Sequence, residues 1–391
     1  MNDPNNMRIS AFLIMKIYLT RHKYTGAAAS ASQIVFSHKT PRKMIHIQKV
    51  EESRRDQLEL EGLEFGKEFS DHMLICNYSG GCWGDAYIRP YEELKFPLSL
   101  HALHYGQAAF EGLKAYRQLD DSVAIFRPEE NFKRLNQSAV RLNMPEVPED
   151  VFMDGLKELI RLDSAWVPDD EGMSLYIRPF LFSSSHFIAA RPSEDYMFAI
   201  ITSPVGPYYA GDVRVKIEQE YARSTTGGIG FTKAAGNYAG AFYPTSKAKE
   251  QGFTQIIWTD SKEHSLIEES GTMNIMFRIN GVMRTPPLSD RILPGITRDS
   301  ILFLLRDWGE ELQEGPITVD ELIASARSGE LQEAFGMGTA AVVSPISGIG
   351  FGEELFDVPT PEQGMGSRIR NALNDIRVGR TEDRNAWMIK V

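Results

Sequence analysis

The sequence lacks the features that define several large classes of protein. It contains only Cys76 and Cys82, which are too few for a disulfide scaffold and lack the partners of a zinc site. No apolar run approaches the ~20 residues that a membrane-spanning helix needs. Acidic residues outnumber basic ones, and the formal net charge of −11 argues against nucleic acid as the main partner. The sequence therefore indicates a globular protein of a reducing compartment.

Acidic residues are also missing from the first part of the chain, between Asp3 and Glu51, where all the charged residues are basic. A basic leader without acidic residues is typical of a mitochondrial presequence. The alternative, which we favour, is an upstream extension with Met44 as the start of the folded protein. We therefore predict a basic extension at residues 1–44 and a cytoplasmic enzyme, or a mitochondrial one if the extension is a presequence.

The remaining chain has the pattern of a mixed α/β protein. Aromatic and β-branched residues predict strands at 174–182 and 196–202. The stretch 203–212 is dense in proline and glycine, which indicates a boundary between domains. We predict a smaller N-terminal α/β domain at 45–205, a linker at 206–211 and a larger pseudo-barrel domain at 212–391.

Periodicity and capping patterns predict further elements. Pro128 opens a helix with one apolar face, and Thr318 with Glu321 has the pattern of a capping box at a helix start. The other predicted helices are 151–162 and 296–308, and the other predicted strands are 213–217, 254–259 and 273–279.

One lysine stands out because glycines surround it on both sides. Lys233 follows Gly227, Gly228 and Gly230 and is followed by Gly236. Glycines let the backbone pass close to a bulky group, and a lysine desolvated there has a lowered pKa and a nucleophilic amine. The alternative is a solvated surface charge. The phosphate-binding spacing G-x-x-x-x-G-K-[ST] is absent.

Three later segments carry groups that complement a nucleophilic lysine. Carboxylates at Glu268 and Glu269 precede a strand, Pro294-Gly295 precedes a helix whose first N–H groups can bind an anion, and a second glycine-rich turn lies at 335–340. Each alone also fits an ordinary turn or cap. Together, a lysine, a carboxylate and a phosphate site suggest pyridoxal 5′-phosphate, which needs all three.

These segments resemble the branched-chain aminotransferase family of the fold-type IV (class IV) pyridoxal-phosphate enzymes. The resemblance covers roughly residues 65–391 and rests on the motifs GGIGFTKAAGNY, EESGTMN, RILPGITR, FGMGTA, FGKEFSDHML and LHYGQAAFEGLKAY. Mammalian relatives carry a redox-active C-x-x-C where this chain has Ala341 to Ser344. We therefore expect no cysteine regulation of that type.

The resemblance implies a role for each cofactor-binding residue. Lys233 would carry the cofactor as a Schiff base and move the proton during transfer. Glu269, rather than its neighbour Glu268, would keep the pyridine nitrogen protonated, and Tyr238 would bind the phenolic oxygen. The residues implied at the phosphate are Arg134, Ile296, Thr297 and Thr339.

The resemblance also implies a pocket that accepts two kinds of side chain. Arg178 is costly to bury without a partner, and the γ-carboxylate of glutamate would be that partner. Thr272 and the backbone at Ala340 would hold the α-carboxylate. Tyr105 and the loop near residues 187–189 would come from a neighbouring subunit, which implies a homodimer. The implied aromatic walls are Phe69, Tyr105, Phe110 and Tyr176.

The function implied is transfer of the amino group of L-leucine, L-isoleucine or L-valine to 2-oxoglutarate. The first alternatives are an aminodeoxychorismate lyase and a D-amino-acid aminotransferase of the same fold. Both are typically shorter, and the N-terminal motif FGKEFSDHML speaks against them. A non-catalytic pyridoxal-phosphate-binding protein is disfavoured because Lys233, Glu269 and Arg134 are all present. No metal, nucleic acid or membrane partner is expected.

Overall fold

The computed structural model describes residues 43–59, 62–206, 213–340 and 342–391. Almost all of the predicted basic extension and most of the predicted linker lie outside these residues. The predicted domain limits therefore stay predictions. Among the described residues, no helix is long and apolar enough to cross a membrane.

The described residues form strands and helices that alternate along most of the chain. The strands are β1 (Ile45–Ile47), β2 (His72–Ser79), β3 (Cys82–Pro90), β4 (Ala108–Phe110), β5 (Leu113–Arg117), β6 (Val123–Phe126), β7 (Ser174–Ser183), β8 (Tyr196–Val205), β9 (Arg214–Ile217), β10 (Gln255–Thr259), β11 (Ile267–Ser270), β12 (Asn274–Ile279), β13 (Val282–Thr285), β14 (Leu312–Glu314), β15 (Leu331–Gly338), β16 (Val342–Pro345), β17 (Gly348–Phe351), β18 (Glu354–Asp357) and β19 (Met388–Lys390). The α-helices are α1 (His101–Tyr105), α2 (Pro128–Arg141), α3 (Gly155–Leu162), α4 (Ala235–Glu250), α5 (Ile296–Asp307), α6 (Val319–Ser328) and α7 (Met365–Arg377).

The first sheet has the order β1-β3-β2-β8-β7-β5-β6-β19, with β4 paired to β7. Most of its neighbouring strands are antiparallel, and β7 and β8 pair over their whole lengths from Ser174–Val205 to Ser183–Tyr196. Helices α2 and α3 cover one face, where Leu135, Leu156 and Leu159 are fully buried against the strands. The C-terminal β19 joins this sheet by pairing with β6, so the two halves of the chain share it.

Two five-stranded sheets form the second half. Their orders are β11-β10-β9-β17-β18 and β14-β13-β12-β15-β16. Successive residues of a strand face opposite sides, and β12 follows this rule. Phe277 packs into the core shared by the two sheets, whereas Met276 packs with α5 and α7 on the other face. The third sheet is therefore buried on both faces.

The mixed α/β prediction is confirmed, and the element boundaries show where local sequence is insufficient. The helix predicted from residue 151 begins as a π-helical turn, Asp150–Asp154, before α3. The strand predicted to end at residue 202 continues to Val205. The capping pattern of α6 is confirmed, because the Glu321 backbone N–H donates to Thr318 Oγ1 at 3.0 Å.

Candidate active site

A cavity of about 770 Å³ lies where elements of all three sheets and the starts of two helices meet. It is bordered by β4 and β7, by the starts of α4 and α5, and by the turns that follow β11 and β15. The structure brings twelve of the predicted site residues to this cavity. They are Phe110, Arg134, Tyr176, Arg178, Lys233, Tyr238, Glu269, Thr272, Ile296, Thr297, Thr339 and Ala340.

Two predicted aromatic residues do not line the cavity of a single chain. Phe69 stacks on Tyr91 with ring centroids 4.9 Å apart. Phe65, from the same motif, lines the cavity instead and packs edge-on against Tyr176. Tyr105 lies on the surface, where its hydroxyl donates to the Ile188 carbonyl at 2.7 Å. The predicted role of Tyr105 belongs to a neighbouring subunit and stays a prediction.

The glycine-rich turn holds Lys233 at the edge of the first sheet. The Lys233 backbone N–H donates to Ser138 Oγ at 3.0 Å, and its carbonyl accepts from the Phe110 N–H at 3.1 Å. A side chain on Gly230 would collide with the Arg291 carbonyl, so this turn requires glycine. The half-buried amine donates to the Tyr238 hydroxyl at 2.7 Å and lies 4.6 Å from the centre of the Phe110 ring. It is therefore directed into the cavity.

The adjacent glutamates of β11 have different environments, as alternation along a strand requires. Glu269 lines the cavity, where its Oε1 lies 2.9 Å from Arg223 Nη1 and accepts from the Leu293 N–H at 2.8 Å. Burial raises the pKa of Glu269, and the Arg223 charge opposes this shift. Glu268 does not line the cavity and pairs with Arg291. Of the two glutamates, Glu269 is the one placed to contact a ligand there.

Arg134 is held by a buried carboxylate that the sequence did not identify. Its Nε and Nη2 each donate to one oxygen of Glu111 at 2.8 Å, and its Nη1 donates to the Pro294 carbonyl at 2.9 Å. Asn131 adds a further hydrogen bond to Glu111. Two-point pairing fixes a guanidinium group in orientation as well as position. Arg134 is therefore pre-oriented beside the start of α5.

The start of α5 is open toward the same end of the cavity. Gly295 is the N-cap residue, and no described side chain caps the first turn. The first backbone N–H groups of a helix have no partner within the helix and attract anions. Ile296 and Thr297 of this turn, with Thr339, line the cavity near Arg134. The four residues form a suitable site for a phosphate group.

Arg178 provides a different kind of charge. Its Nη2 donates to the Tyr176 hydroxyl at 3.1 Å, and its guanidinium lies 4.6 Å from the centre of the Phe110 ring. Its Nε is buried without a hydrogen-bond partner among the described residues. None of the described carboxylates forms an ion pair with it either. A buried cation normally has a counter-charge, so Arg178 is suited to an anionic ligand.

Sequence reasoning missed Glu111, Arg223 and Phe65. Glu111 and Arg223 act on Arg134 and Glu269 rather than on the ligand, and their partners are 23 and 46 positions away in the sequence. All three lie inside or beside the motifs that carry the resemblance. Apart from this proximity, no local pattern pairs residues across such separations.

The chain was compared with protein families and with known proteins. Residues 108–349 match the model of amino-transferase class IV. The chain belongs to the class IV aminotransferases. It is 41% identical over 346 residues to a probable branched-chain-amino-acid aminotransferase of Staphylococcus epidermidis, an alignment that covers 87% of this chain and 96% of the relative.

Two solved structures extend this similarity to the fold. A branched-chain aminotransferase of Thermoproteus uzoniensis with norvaline has a TM-score of 0.68 and 26% identity, covering 82% of this chain and 99% of that one. The branched-chain amino acid aminotransferase of a T.th. strain, complexed with N-(5′-phosphopyridoxyl)-L-glutamate, has a TM-score of 0.65, 26% identity and the same coverage. The fold-type IV prediction is confirmed.

The class IV aminotransferase uses pyridoxal 5′-phosphate, and the cavity fits this cofactor. The open start of α5 beside Arg134 suits the phosphate, the buried carboxylate of Glu269 suits a protonated ring nitrogen, and the Lys233 amine suits the aldehyde. All three groups line one cavity, and its two acid–base pairs are already formed within the protein.

Proposed function

We propose that this aminotransferase moves the amino group of L-leucine, L-isoleucine or L-valine to 2-oxoglutarate, giving the branched 2-oxo acid and L-glutamate. One observation carries this proposal: Lys233, Glu269 and an arginine without a carboxylate partner among the described residues, Arg178, line the same aromatic-walled cavity. The similarity to branched-chain aminotransferases of two other organisms supports the choice of substrates.

Lys233 is the catalytic residue of the proposal. Bound pyridoxal phosphate supplies an electrophilic carbon and a ring that accepts an electron pair from the substrate's Cα. The Lys233 amine binds the cofactor covalently and, once displaced by the substrate amine, accepts the Cα proton and returns it. The Tyr238 hydroxyl, 2.7 Å from this amine, keeps it oriented and also binds the cofactor's phenolic oxygen.

Charged partners hold the cofactor in this proposal. Glu269 keeps a proton on the ring nitrogen, and Arg223 keeps Glu269 ionised despite the burial that raises its pKa. Arg134, oriented by Glu111, binds the phosphate together with the first turn of α5. The hydroxyls of Thr297 and Thr339 complete the phosphate site, which lies away from Arg178.

The substrate end accepts two kinds of side chain. Rings of Phe65, Phe110 and Tyr176 provide apolar contact for a branched aliphatic group. Arg178, with the Tyr176 hydroxyl beside it, provides charge for the second carboxylate of glutamate or 2-oxoglutarate. The α-carboxylate common to all these substrates would bind at Thr272 and the Ala340 backbone.

A homodimer would complete the site. Tyr105 is hydrogen-bonded to the loop at Ile188, and both side chains are exposed together with Leu103 on the same surface. Exposed apolar side chains grouped in this way are typical of protein interfaces. A second chain covering this surface would receive Tyr105 and Ile188 at its own cavity, as the family resemblance implies.

The same proposal includes the organisation and location of the chain. The domain limits 45–205 and 212–391 are supported because the first eight strands form one sheet and the second half forms the other two. The free thiols of Cys76 and Cys82 agree with a reducing compartment such as the cytoplasm.

A product assay distinguishes the proposed reaction from its alternatives. Purified holoenzyme should form L-glutamate from 2-oxoglutarate with L-leucine, L-isoleucine and L-valine as donors, but not with D-alanine. Turnover of D-alanine alone would indicate a D-amino-acid aminotransferase. Release of pyruvate from aminodeoxychorismate without glutamate formation would indicate the lyase, and either result would contradict the proposal.

A further inference from the structure

A second cavity of about 650 Å³ lies between the first sheet, the ends of β15 and β16, and α7. It is separate in its lining from the active site, with which it shares only Ala340 among the described residues. Polar groups from four elements reach it: Lys114 on β5, Ser174 on β7, Ser344 on β16 and Arg377 on α7. All four side chains are buried.

Two of these groups are cations without a described counter-charge. The Lys114 amine makes one hydrogen bond to the described residues, with the Ala340 carbonyl at 3.2 Å. Arg377 lies over the Phe126 ring, and its Nε is buried without a partner in the described part of the chain. Burial lowers the pKa of Lys114 to about 7, and the Arg377 charge acts in the same direction. Buried cations of this kind are costly unless an anion joins them.

Two buried hydroxyls point to the same conclusion. Ser174 Oγ and Ser344 Oγ have no hydrogen-bond partner among the described residues, although both line the cavity. Buried polar atoms are almost always hydrogen-bonded, so such exceptions indicate a missing partner. Lysine and arginine are donors only, and hydroxyls can donate as well. A ligand that accepts several hydrogen bonds and carries negative charge would satisfy all four groups.

The acidic residues of this cavity do not neutralise the two cations. Glu333 accepts hydrogen bonds from the backbone N–H groups of Met365 and Gly366 and pairs with Arg278. Glu171 pairs with Arg380 on the surface. Glu362 is exposed, and no described cation forms an ion pair with it. The interior of the cavity is therefore positive.

We propose that this second cavity binds a small oxyanion, a phosphate or carboxylate group, between Lys114 and Arg377. The site is distinct from the cofactor's phosphate site, because Arg134 does not line it. Its contact with the active site is the Lys114 hydrogen bond to Ala340, through which a bound anion would reach the turn that follows β15. The shared chemistry is an oxyanion, whether inorganic or part of a metabolite.

Titration calorimetry on the holoenzyme tests this proposal, since the bound cofactor already fills the other phosphate site. Sodium phosphate and sodium acetate are titrated separately at an ionic strength held constant with sodium chloride. At least one should bind saturably with one site per chain. Lys114→Met should weaken binding by about tenfold or more, because a hydrogen bond to a charged group is lost. Lys262→Met, which removes an exposed lysine, is the control.

Ser344→Ala keeps the test decisive if Lys114→Met fails to fold, because this hydroxyl makes no hydrogen bond to the described residues. It should weaken binding several-fold. Binding of phosphate alone or of acetate alone identifies the class of anion, and either supports the site. The proposal is overturned if the wild-type protein binds neither, if both cavity variants bind like wild type, or if chloride competes equally at equal concentration.

Discussion

The two ends of the active-site cavity treat charge in opposite ways. At the cofactor end, Arg134 is paired with Glu111 and Glu269 with Arg223, all of them buried or nearly so. At the substrate end, Arg178 has no carboxylate partner among the described residues. The cofactor stays bound through many turnovers, whereas substrates exchange in each half-reaction.

This difference explains how one cavity can bind both tightly and reversibly. Paired charges at the cofactor end are pre-oriented, so binding requires little reorganisation of the protein. The unpaired guanidinium at the substrate end gains its partner only when a dicarboxylate enters. Because aromatic rings flank Arg178, an aliphatic side chain can occupy the same space without meeting a buried carboxylate.

The largest expected effect comes from Lys233, whose amine serves both ends. Lys233→Ala should lower the rate of glutamate formation by about 10⁴-fold, the upper end of the range for a general acid–base group. The absorption band of the lysine-bound cofactor should also disappear. The exposed Lys262→Ala is the control. Wild-type activity in Lys233→Ala would remove this lysine from the mechanism.

Breaking a pair at the cofactor end should affect stability. Glu111→Gln leaves the Arg134 charge buried without its partner, which should lower the free energy of unfolding of the apoenzyme by about 3–5 kcal/mol. The loss should be smaller in the holoenzyme, since the phosphate supplies an anion. Denaturant melts of both forms measure this difference. Glu130→Gln in α2, which breaks a surface pair with Lys133, should change stability by less than about 1 kcal/mol.

Equal losses for Glu111→Gln in the apoenzyme and holoenzyme would mean that Arg134 does not reach the phosphate. The distinction between a paired cofactor end and an unpaired substrate end would then lose its basis.

A smaller, pH-dependent effect is expected from the unpaired Lys114 outside the active site. Its pKa in the folded protein is lowered to about 7, whereas the unfolded chain keeps the ordinary value near 10.5. The unfolded state therefore binds more protons between these values, and this residue's contribution to stability rises with pH. The unfolding free energy of wild type minus that of Lys114→Met should increase from pH 7 to 10. A difference that is constant or falls over this range would contradict the lowered pKa.

The sequence predicted the cavity well because its residues lie in compact motifs. Lys233 and Tyr238 are five positions apart, and Thr297 follows the glycine that starts α5. Glycine and proline fix these turns through local backbone sterics, which are readable from sequence alone. The mixed α/β class followed in the same way from strand and helix periodicity.

The features that the sequence did not predict depend on tertiary contacts. The pairs Arg134–Glu111 and Glu269–Arg223 form between separate elements. Phe65 rather than Phe69 reaches the cavity, although both belong to one motif and both are aromatic. The choice depends on how that segment crosses β7 and β8, which no local pattern determines. The joining of β19 to the first sheet is non-local for the same reason.

The central claim is that Arg178 serves one half-reaction far more than the other, and single-turnover rates of Arg178→Met test it most directly. Methionine keeps the apolar contact and removes the charge. We expect the 2-oxoglutarate half-reaction to lose about 2–5 kcal/mol of transition-state stabilisation, the range for losing one partner of a buried charge pair. The L-leucine half-reaction should lose at most about 1–3 kcal/mol, the range for a small packing change. Equal losses in both half-reactions would make Arg178 a structural residue and contradict the account.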